Sequence, residues 1–338
     1  MTDRSVAAGL ALARVLAHCA DDPAAALGQL AGAVAADPAD PEPYALLAEL
    51  RAERPAELGA LLARANTLST VLARSYFCFL DGELDEAVLA LGAVAGARPA
   101  VAWAAAPWFG DPRVAALVDP EALAEAALRI GDHGHPLDVP AVAEALAPWV
   151  AAVEAVAGRA PQPETVARYA LFLRMCGLPE RSFALCDRAD ALAPAMLTEV
   201  VRAGTWRERG DLDRAADAFE RALLLDPANW SLHLDLADLD AVRGDFASAA
   251  ARTARGLELE PAEPTLRAAH AAYRFRLAPS APALRELLDA AGALPPSPYR
   301  RQLLDLARAT DATDPLADLP TDLPADLLAE ADRLRDGN

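Results

Sequence analysis

Three prolines, Pro227, Pro261 and Pro295, follow one another at a constant interval. An alanine stands at two fixed distances before each proline, and an alanine or a glycine stands at a third, shorter one. The small residues in this series are Ala203, Ala215 and Ala222, then Ala237, Ala249 and Gly256, then Ala271, Ala283 and Ala290. Helices that approach closely need small side chains where they touch, so this period predicts stacked helix pairs.

The composition agrees with an all-α fold. Of the 338 residues, 54% are hydrophobic and only 5% are aromatic, and runs of β-branched residues are rare. The net charge of −19 argues against nucleic acid or an anionic membrane surface as the main partner, because both attract clustered positive charge. All 31 basic residues are arginines, which we interpret as the codon bias of a GC-rich, bacterial genome.

The clearest unit runs from Met196 to Trp230. It is predicted to have a first helix to about Arg209, a turn at Gly210 and Asp211, and a second helix that ends before Pro227. The interval from Gly210 to Pro227 recurs between a glycine and a proline after Gly177, after Gly244 and, in the N-terminal half, after Gly82. The regular units therefore cover about residues 162–295.

This pattern resembles the tetratricopeptide repeat, a helix-turn-helix unit of about 34 residues, which is also the interval between the three prolines. The series that carries the resemblance is Ala203, Trp206, Ala215, Phe219, Ala222 and Pro227. The resemblance implies a right-handed α-solenoid of antiparallel helix pairs.

Four segments are expected along the chain. Residues 1–99 are predicted to hold degenerate repeats, one of them compressed at about 43–66, and residues 161–295 the regular repeats. Residues 296–338 are predicted to form capping helices with an acidic, proline-rich linker from about Asp311. Between the two halves, residues 100–160 lose the phase. Trp108 and Phe109 look exposed there, and they either fill a divergent joint or contact an inserted partner.

In the resembled family, the first helix of each pair lines a groove that binds peptides. Carried onto this chain, the groove positions are Leu171, Arg174 and Met175, then Val200, Arg207 and Glu208, then Leu234, Asp238 and Val242, and then Ala272, Phe275 and Arg276. Three arginines in one groove would attract an acidic peptide, unless each pairs with an acidic neighbour in the chain.

Two hypotheses for function follow. The first is a non-catalytic scaffold or adaptor that binds a peptide or a partner domain in the groove. The alternative is an enzyme, or a regulatory subunit of one, with its site near Trp108 and His133. His133 and His135 lie close enough in sequence to share a metal, but no third ligand at a familiar spacing follows, so we expect neither a metal nor another cofactor.

The remaining sequence signals are weak. Cys19, Cys78, Cys176 and Cys186 lack metal-binding spacing and are expected to be buried, reduced thiols of a cytoplasmic protein. Neither an export signal nor a membrane span is expected, because Arg14 interrupts the first apolar stretch and no uninterrupted apolar run is long enough to cross a bilayer. The sequence leaves the oligomeric state open.

Overall fold

The computed structural model describes residues 3–18, 22–64, 67–306 and 323–336. These ranges contain 19 α-helices and no strand, so the expected all-α helical repeat fold is confirmed. The chain divides into two compact units, residues 1–201 and 202–338.

Unit 1 contains eleven helices and the beginning of a twelfth within the described ranges. They are α1 (Asp3–His18), α2 (Pro23–Ala36), α3 (Pro41–Glu53), α4 (Pro55–Arg64), α5 (Leu68–Asp81), α6 (Leu84–Ala97), α7 (Pro112–Leu117), α8 (Pro120–Arg129), α9 (Pro140–Ala157), α10 (Pro163–Met175) and α11 (Pro179–Leu192). A 3₁₀ turn, Trp103–Ala105, precedes α7. The boundary between the units falls within α12 (Met196–Glu208).

Unit 2 continues from α12 with seven more helices in the part of the chain that is described. They are α13 (Leu212–Leu225), α14 (Trp230–Val242), α15 (Phe246–Leu259), α16 (Pro264–Leu277), α17 (Ala281–Gly292), α18 (Pro298–Asp305) and α19 (Ala325–Asp336). The regular helix pairs begin and end within a few residues of the sequence prediction.

Glycines end the first helix of four pairs. Gly82, Gly177, Gly210 and Gly244 all have positive φ, between 72° and 82°, a conformation that side chains with a Cβ rarely adopt. An aspartate caps the second helix of the α12–α13 pair and of the α14–α15 pair. The side chain of Asp211, for example, accepts a hydrogen bond from the backbone N–H of Arg214 at 3.1 Å. The predicted turn chemistry is therefore confirmed at these positions.

Second helices turn their small residues inward, as the repeat period predicts. On α13, Ala215, Phe219 and Ala222 are buried. On α11, the Ser182 hydroxyl donates to the Ala170 carbonyl of α10 at 2.8 Å, and Cys186 is fully buried. In these pairs, the small and apolar residues of the second helix are therefore buried in the core.

One hydrophobic core extends through unit 1 from α1 to α11. It includes residues of the degenerate repeats, of the central segment and of the first regular repeat. The division at residue 201 consequently differs from the segment boundaries expected at residues 99, 160 and 295, because the core does not change where the repeat phase does. The compressed pair expected near residues 43–66 corresponds to α3 and α4, with residues 65 and 66 outside the described ranges.

Trp108 and Phe109 are buried, 4% and 5% exposed, which contradicts their exposed appearance in the sequence and agrees with the alternative in which they fill the joint. Trp108 packs on Phe79 of α5 with ring centroids 5.4 Å apart, and Phe109 packs on Trp149 of α9 at 4.8 Å. The loop before α7 folds inward between these two helices. Aromatic burial of this kind stabilises the core, and it leaves these two rings no surface for a partner.

The second helix of the α5–α6 pair packs directly against α8. A Cβ atom added to Gly92 would lie 2.4 Å from the Ala126 carbonyl oxygen, and one added to Gly96 would lie 2.4 Å from the Arg129 carbonyl oxygen. α8 also packs against α10, so it links the degenerate repeats to the first regular pair. The close approach of α6 and α8 therefore depends on two glycines one helical turn apart.

α9 has the length and composition of a membrane-crossing helix, and it is the one such helix in the described residues. Its apolar side chains nevertheless pack in the core of unit 1, with Leu146, Trp149 and Val153 almost inaccessible to solvent. These contacts are those of a core helix.

The last helices of unit 2 cover its apolar end. α19 packs on α17 and α18, where Leu327 and Ala331 join the hydrophobic core. The Arg300 guanidinium of α18 donates hydrogen bonds to the carbonyl oxygens of Leu294, which follows α17, and of Leu334 on α19. These hydrogen bonds hold α19 against α18. The acidic linker expected from Asp311 lies in residues 307–322, outside the described ranges.

Candidate functional site

The predicted groove residues lie on four first helices. In unit 1, Leu171, Arg174 and Met175 lie on α10 and are half-buried, and both Leu171 and Met175 pack against hydrophobic clusters. Val200, which stands at the end of unit 1 on α12, is also half-buried. Little of these apolar side chains remains available to a partner.

Phe275 does not line a groove. Its side chain is 0% exposed and belongs to the core of unit 2, as does the neighbouring Ala272. α17 and α18 both pack against α16, and the core cluster that holds Phe275 also holds Leu287 of α17 and Leu304 of α18. The prediction of Phe275 as a binding residue is therefore wrong.

Asp238 is the centre of a polar cluster in unit 2. Its Oδ1 atom accepts hydrogen bonds from the hydroxyls of Tyr273 on α16 and of Tyr299 on α18, the latter at 2.9 Å. Burial raises the pKa of the Asp238 carboxyl, while the two tyrosines and Arg207 act in the opposite direction. Burial also raises the pKa of Tyr273 and of Tyr299, and the Asp238 charge adds to this, so both hydroxyls stay protonated donors at neutral pH. One carboxylate thus connects three helices.

Arg207 is exposed but already has acidic neighbours. Its Nη1 atom lies 3.6 Å from Oδ1 of Asp235, and its charge acts on Asp238. Of the two interpretations of the groove arginines, pairing within the chain is the one observed at this position.

Arg276 is also engaged by its own unit. Its Nη1 atom donates to the Leu306 carbonyl oxygen at 3.4 Å, and its guanidinium lies 5.3 Å from the centroid of the Phe246 ring. Residues at and just after α18 therefore contact two predicted groove residues, Asp238 and Arg276. The chain itself occupies this end of the surface.

The exposed part of the predicted groove lies at the C-terminal ends of α12 and α14. It consists of Arg207, Glu208 and Val242, and the Val242 side chain is 64% exposed. Leu234, further back on α14, is half-buried and packs against the core. We call these three exposed residues the α12–α14 surface.

The sequence reading missed Asp235, Tyr273 and Tyr299. A signal for Tyr299 was present, because it stands one repeat period after Thr265 and two after Ser231, in register with the first helices. The period extended by one more repeat would have placed it beside the groove.

Replacing Tyr299 by phenylalanine should lower the free energy of unfolding by about 1.5–3 kcal/mol at pH 7, because the lost hydrogen bond goes to a charged, largely buried acceptor. The variant also raises the folded-state pKa of Asp238 further above its unfolded value. The stability linked to this proton is complete below the unfolded pKa and is lost as the pH rises through the folded pKa. The cost should therefore be larger at pH 7 than at pH 3.

The control for this prediction is Tyr169→Phe, which removes a hydroxyl that donates to the neutral Pro120 carbonyl at 2.6 Å. Urea unfolding of both variants at pH 3 and pH 7 measures the difference. An equal cost of Tyr299→Phe at both pH values would contradict the role given to Asp238.

The alternative site near Trp108 and His133 gains little from the structure. The ring centroids of His133 and His135 are 6.3 Å apart, and the described residues contain no group of three His, Cys, Asp or Glu placed to hold a metal. Burial raises the pKa of the Cys78 thiol to about 11 and that of Cys176 to about 12, which opposes thiolate chemistry. Cys19 lies outside the described residues.

Comparison with known proteins supports the repeat assignment. Residues 207–273 match the tetratricopeptide repeat family, and no curated protein matches the chain. One similar solved structure is a tetratricopeptide repeat protein from Parabacteroides merdae, with 16% identity over 90% of this chain and 98% of that one, at a TM-score of 0.43. Another is a thermophilic TPR protein of Thermus thermophilus, with 17% identity over 80% of this chain and 99% of that one, at 0.30. A third is a human IFIT1 dimer with m7Gppp-AAAA, with 15% identity over 90% of this chain and 72% of that one, at a TM-score of 0.40.

The matched segment extends from the end of α12 into α16 and includes two of the glycine turns described above. Residues 207–273 are therefore a tetratricopeptide repeat segment, and similar helix pairs precede and follow it in the chain.

Proposed function

We propose that the chain is a non-catalytic scaffold that binds a partner protein through the α12–α14 surface of unit 2. The observation that carries the proposal is the 64% exposure of Val242 at the end of α14, with the exposed, charged Arg207 and Glu208 at the same end of the preceding first helix. Val242 ends a helix whose other large apolar side chains are mostly covered. An exposed aliphatic side chain supplies apolar contact area to a partner, and charged residues near it suit the polar rim of an interface.

A tetratricopeptide repeat supports protein binding in general. The contacts within unit 2 support the choice of the α12–α14 surface among the predicted groove residues. Tyr299 and the Leu306 carbonyl already contact Asp238 and Arg276, so the proposed partner meets the exposed ends of α12 and α14. Arg207 is shared with Asp235, so a partner carboxylate at this surface would have to compete with an internal one. An acidic partner is therefore better placed elsewhere on unit 2.

No observation favours catalysis over binding. The alternative site has neither a metal cluster in the described residues nor an activated thiol, and its aromatic residues are core. The scaffold proposal needs no chemistry beyond reversible contact.

The test places a photo-crosslinking amino acid at Val242 in the native host. The matched control places it at Leu224 on α13, which is 81% exposed but lies on a second helix. We expect a discrete crosslinked partner from position 242 and none from position 224. Equal crosslinking at both positions, or none at 242, would contradict the proposed surface.

The partner identified in this way is then purified and its affinity is measured directly. Val242→Asp places a charge where an apolar contact is proposed, and it should weaken binding by about tenfold or more. A protein that binds the variant as tightly as the native chain does not use this surface.

A further inference from the structure

We propose that unit 2 has a second binding site, a cavity bounded by α15, α16 and α17 that takes an acidic side chain from an apolar segment of a partner protein. It shares no residue with the α12–α14 surface or with the Asp238 cluster. The inference therefore stands independently of the proposed function.

The cavity has a volume of about 630 Å³, within the range of about 300–1,000 Å³ of sites that hold small ligands or a few side chains. Its apolar lining comes from all three helices, with Leu257 on α15, Ala271 on α16, and Pro282 and Ala290 on α17. Small residues on α17 leave this space open beside α15. An aliphatic side chain of a partner fits such a wall.

Two arginines at the cavity supply the charge. Arg267 of α16 and Arg285 of α17 both line it, and neither guanidinium makes an ion pair or a hydrogen bond with the described residues. This contrasts with Arg274 on the same helix as Arg267, which lies 3.1 Å from Glu286. Two arginines without an ion pair among the described residues thus line one cavity of a chain whose net charge is −19.

The other titratable groups at the cavity leave an excess of positive charge. Glu286 is paired with Arg274, so Asp289 is the one lining carboxylate of the described residues without an ion pair. His270 shares a hydrogen bond of 2.9 Å with the Thr253 hydroxyl, and burial, with Arg274 as a smaller cause, lowers the pKa of its imidazole. His270 is therefore neutral at pH 7. One ligand carboxylate restores the balance with two guanidiniums.

The chemistry selects the ligand class. A guanidinium binds a carboxylate through a planar fork of N–H donors, and two of them on separate helices can hold one carboxylate from two directions. The apolar wall beside them favours an acidic side chain with aliphatic neighbours over a free inorganic anion. Such a segment is the acidic partner that the sequence suggested, at a site that the sequence did not indicate.

The experiment measures fluorescence anisotropy of the full chain with a labelled hexapeptide, capped at both ends, that alternates leucine with aspartate. We expect Arg267→Ala and Arg285→Ala each to weaken binding by about tenfold, because each removes a charge-assisted contact. A matched control is Arg301→Ala on α18, an exposed arginine that also lacks an ion pair among the described residues and lies outside the cavity. This control should change the affinity by less than about twofold.

Three results would overturn the site: no binding of the peptide to the native chain, equal weakening by Arg301→Ala, or equal binding of a peptide with asparagine in place of aspartate. Equal thermal unfolding of the three arginine variants shows that they remain folded. Val242→Asp should leave peptide affinity unchanged, so failure of the α12–α14 surface is distinguishable from failure of this cavity.

Discussion

Replacing Phe275 by alanine should lower the free energy of unfolding by about 3–5 kcal/mol, since it empties a fully buried aromatic site in the core of unit 2. The ring belongs to the same core cluster as Leu287 of α17 and Leu304 of α18. Closely packed interiors relax little around a vacancy of this size, so a cavity term adds to the lost burial. Urea unfolding followed by circular dichroism measures the change.

The matched control is Val242→Ala, on the first helix of the preceding repeat. Val242 is largely exposed, so its truncation should change stability by less than about 0.5 kcal/mol while it removes the proposed contact. The repeat pattern assigned both Phe275 and Val242 to the binding groove. Comparison of the two variants distinguishes a core residue from a surface residue. A loss of partner binding by Phe275→Ala at unchanged stability would contradict the burial argument and restore Phe275 to the groove.

The helix pairs could be predicted because their signals are local. Positive φ at Gly82, Gly177, Gly210 and Gly244, and the cap at Asp211, follow from short-range backbone chemistry. Small residues at fixed offsets likewise encode contacts within a pair. These features depend on neighbours close in the chain, which the sequence displays directly.

The exposure of the predicted site residues depended on contacts between repeats, and there the sequence was less informative. Phe275 stands at a groove position by its offset, but its ring belongs to a core cluster that also contains Leu287 of α17 and Leu304 of α18, which the offset alone does not reveal. Trp108 stands within a turn signal, between Pro107 and Gly110, yet its ring packs on Phe79 of α5. In both cases the local sequence pattern predicted an exposed ring, whereas burial of a large aromatic side chain is strongly favourable.

The sequence likewise did not reveal which arginines are neutralised by other groups of the chain. Sequence position placed Arg174, Arg207 and Arg276 on first helices, and the structure keeps them there, with Arg207 beside Asp235 and Arg276 beside the Leu306 carbonyl. Whether such an arginine is neutralised depends on residues in the next repeat, nearly a full period away. Arg267 and Arg285, which have no ion pair within the described ranges, had no distinguishing feature in the sequence.

Gly92→Ala in α6 should lower the free energy of unfolding of the chain by about 1–3 kcal/mol, at the upper end of that range because the added methyl group meets backbone. Its Cβ would lie 2.4 Å from the Ala126 carbonyl oxygen, so α6 and α8 must separate or tilt. The contact lies where the out-of-phase segment joins the degenerate repeats. Gly96→Ala makes the same demand against Arg129, and the double variant should cost less than the sum because one separation accommodates both.

The control is the same glycine-to-alanine substitution at a position where the added methyl group meets no other atom. Gly32 lies in the interior of α2, exposed, and a Cβ added there would meet no atom within 4 Å. Gly32→Ala should therefore raise stability by about 0.5–1 kcal/mol, through helix propensity alone. The opposite signs of Gly92→Ala and Gly32→Ala in urea unfolding isolate the helix contact from the intrinsic preference for alanine. If both substitutions stabilise the chain, α6 and α8 are not in backbone contact, and the glycines of the joint have no structural role.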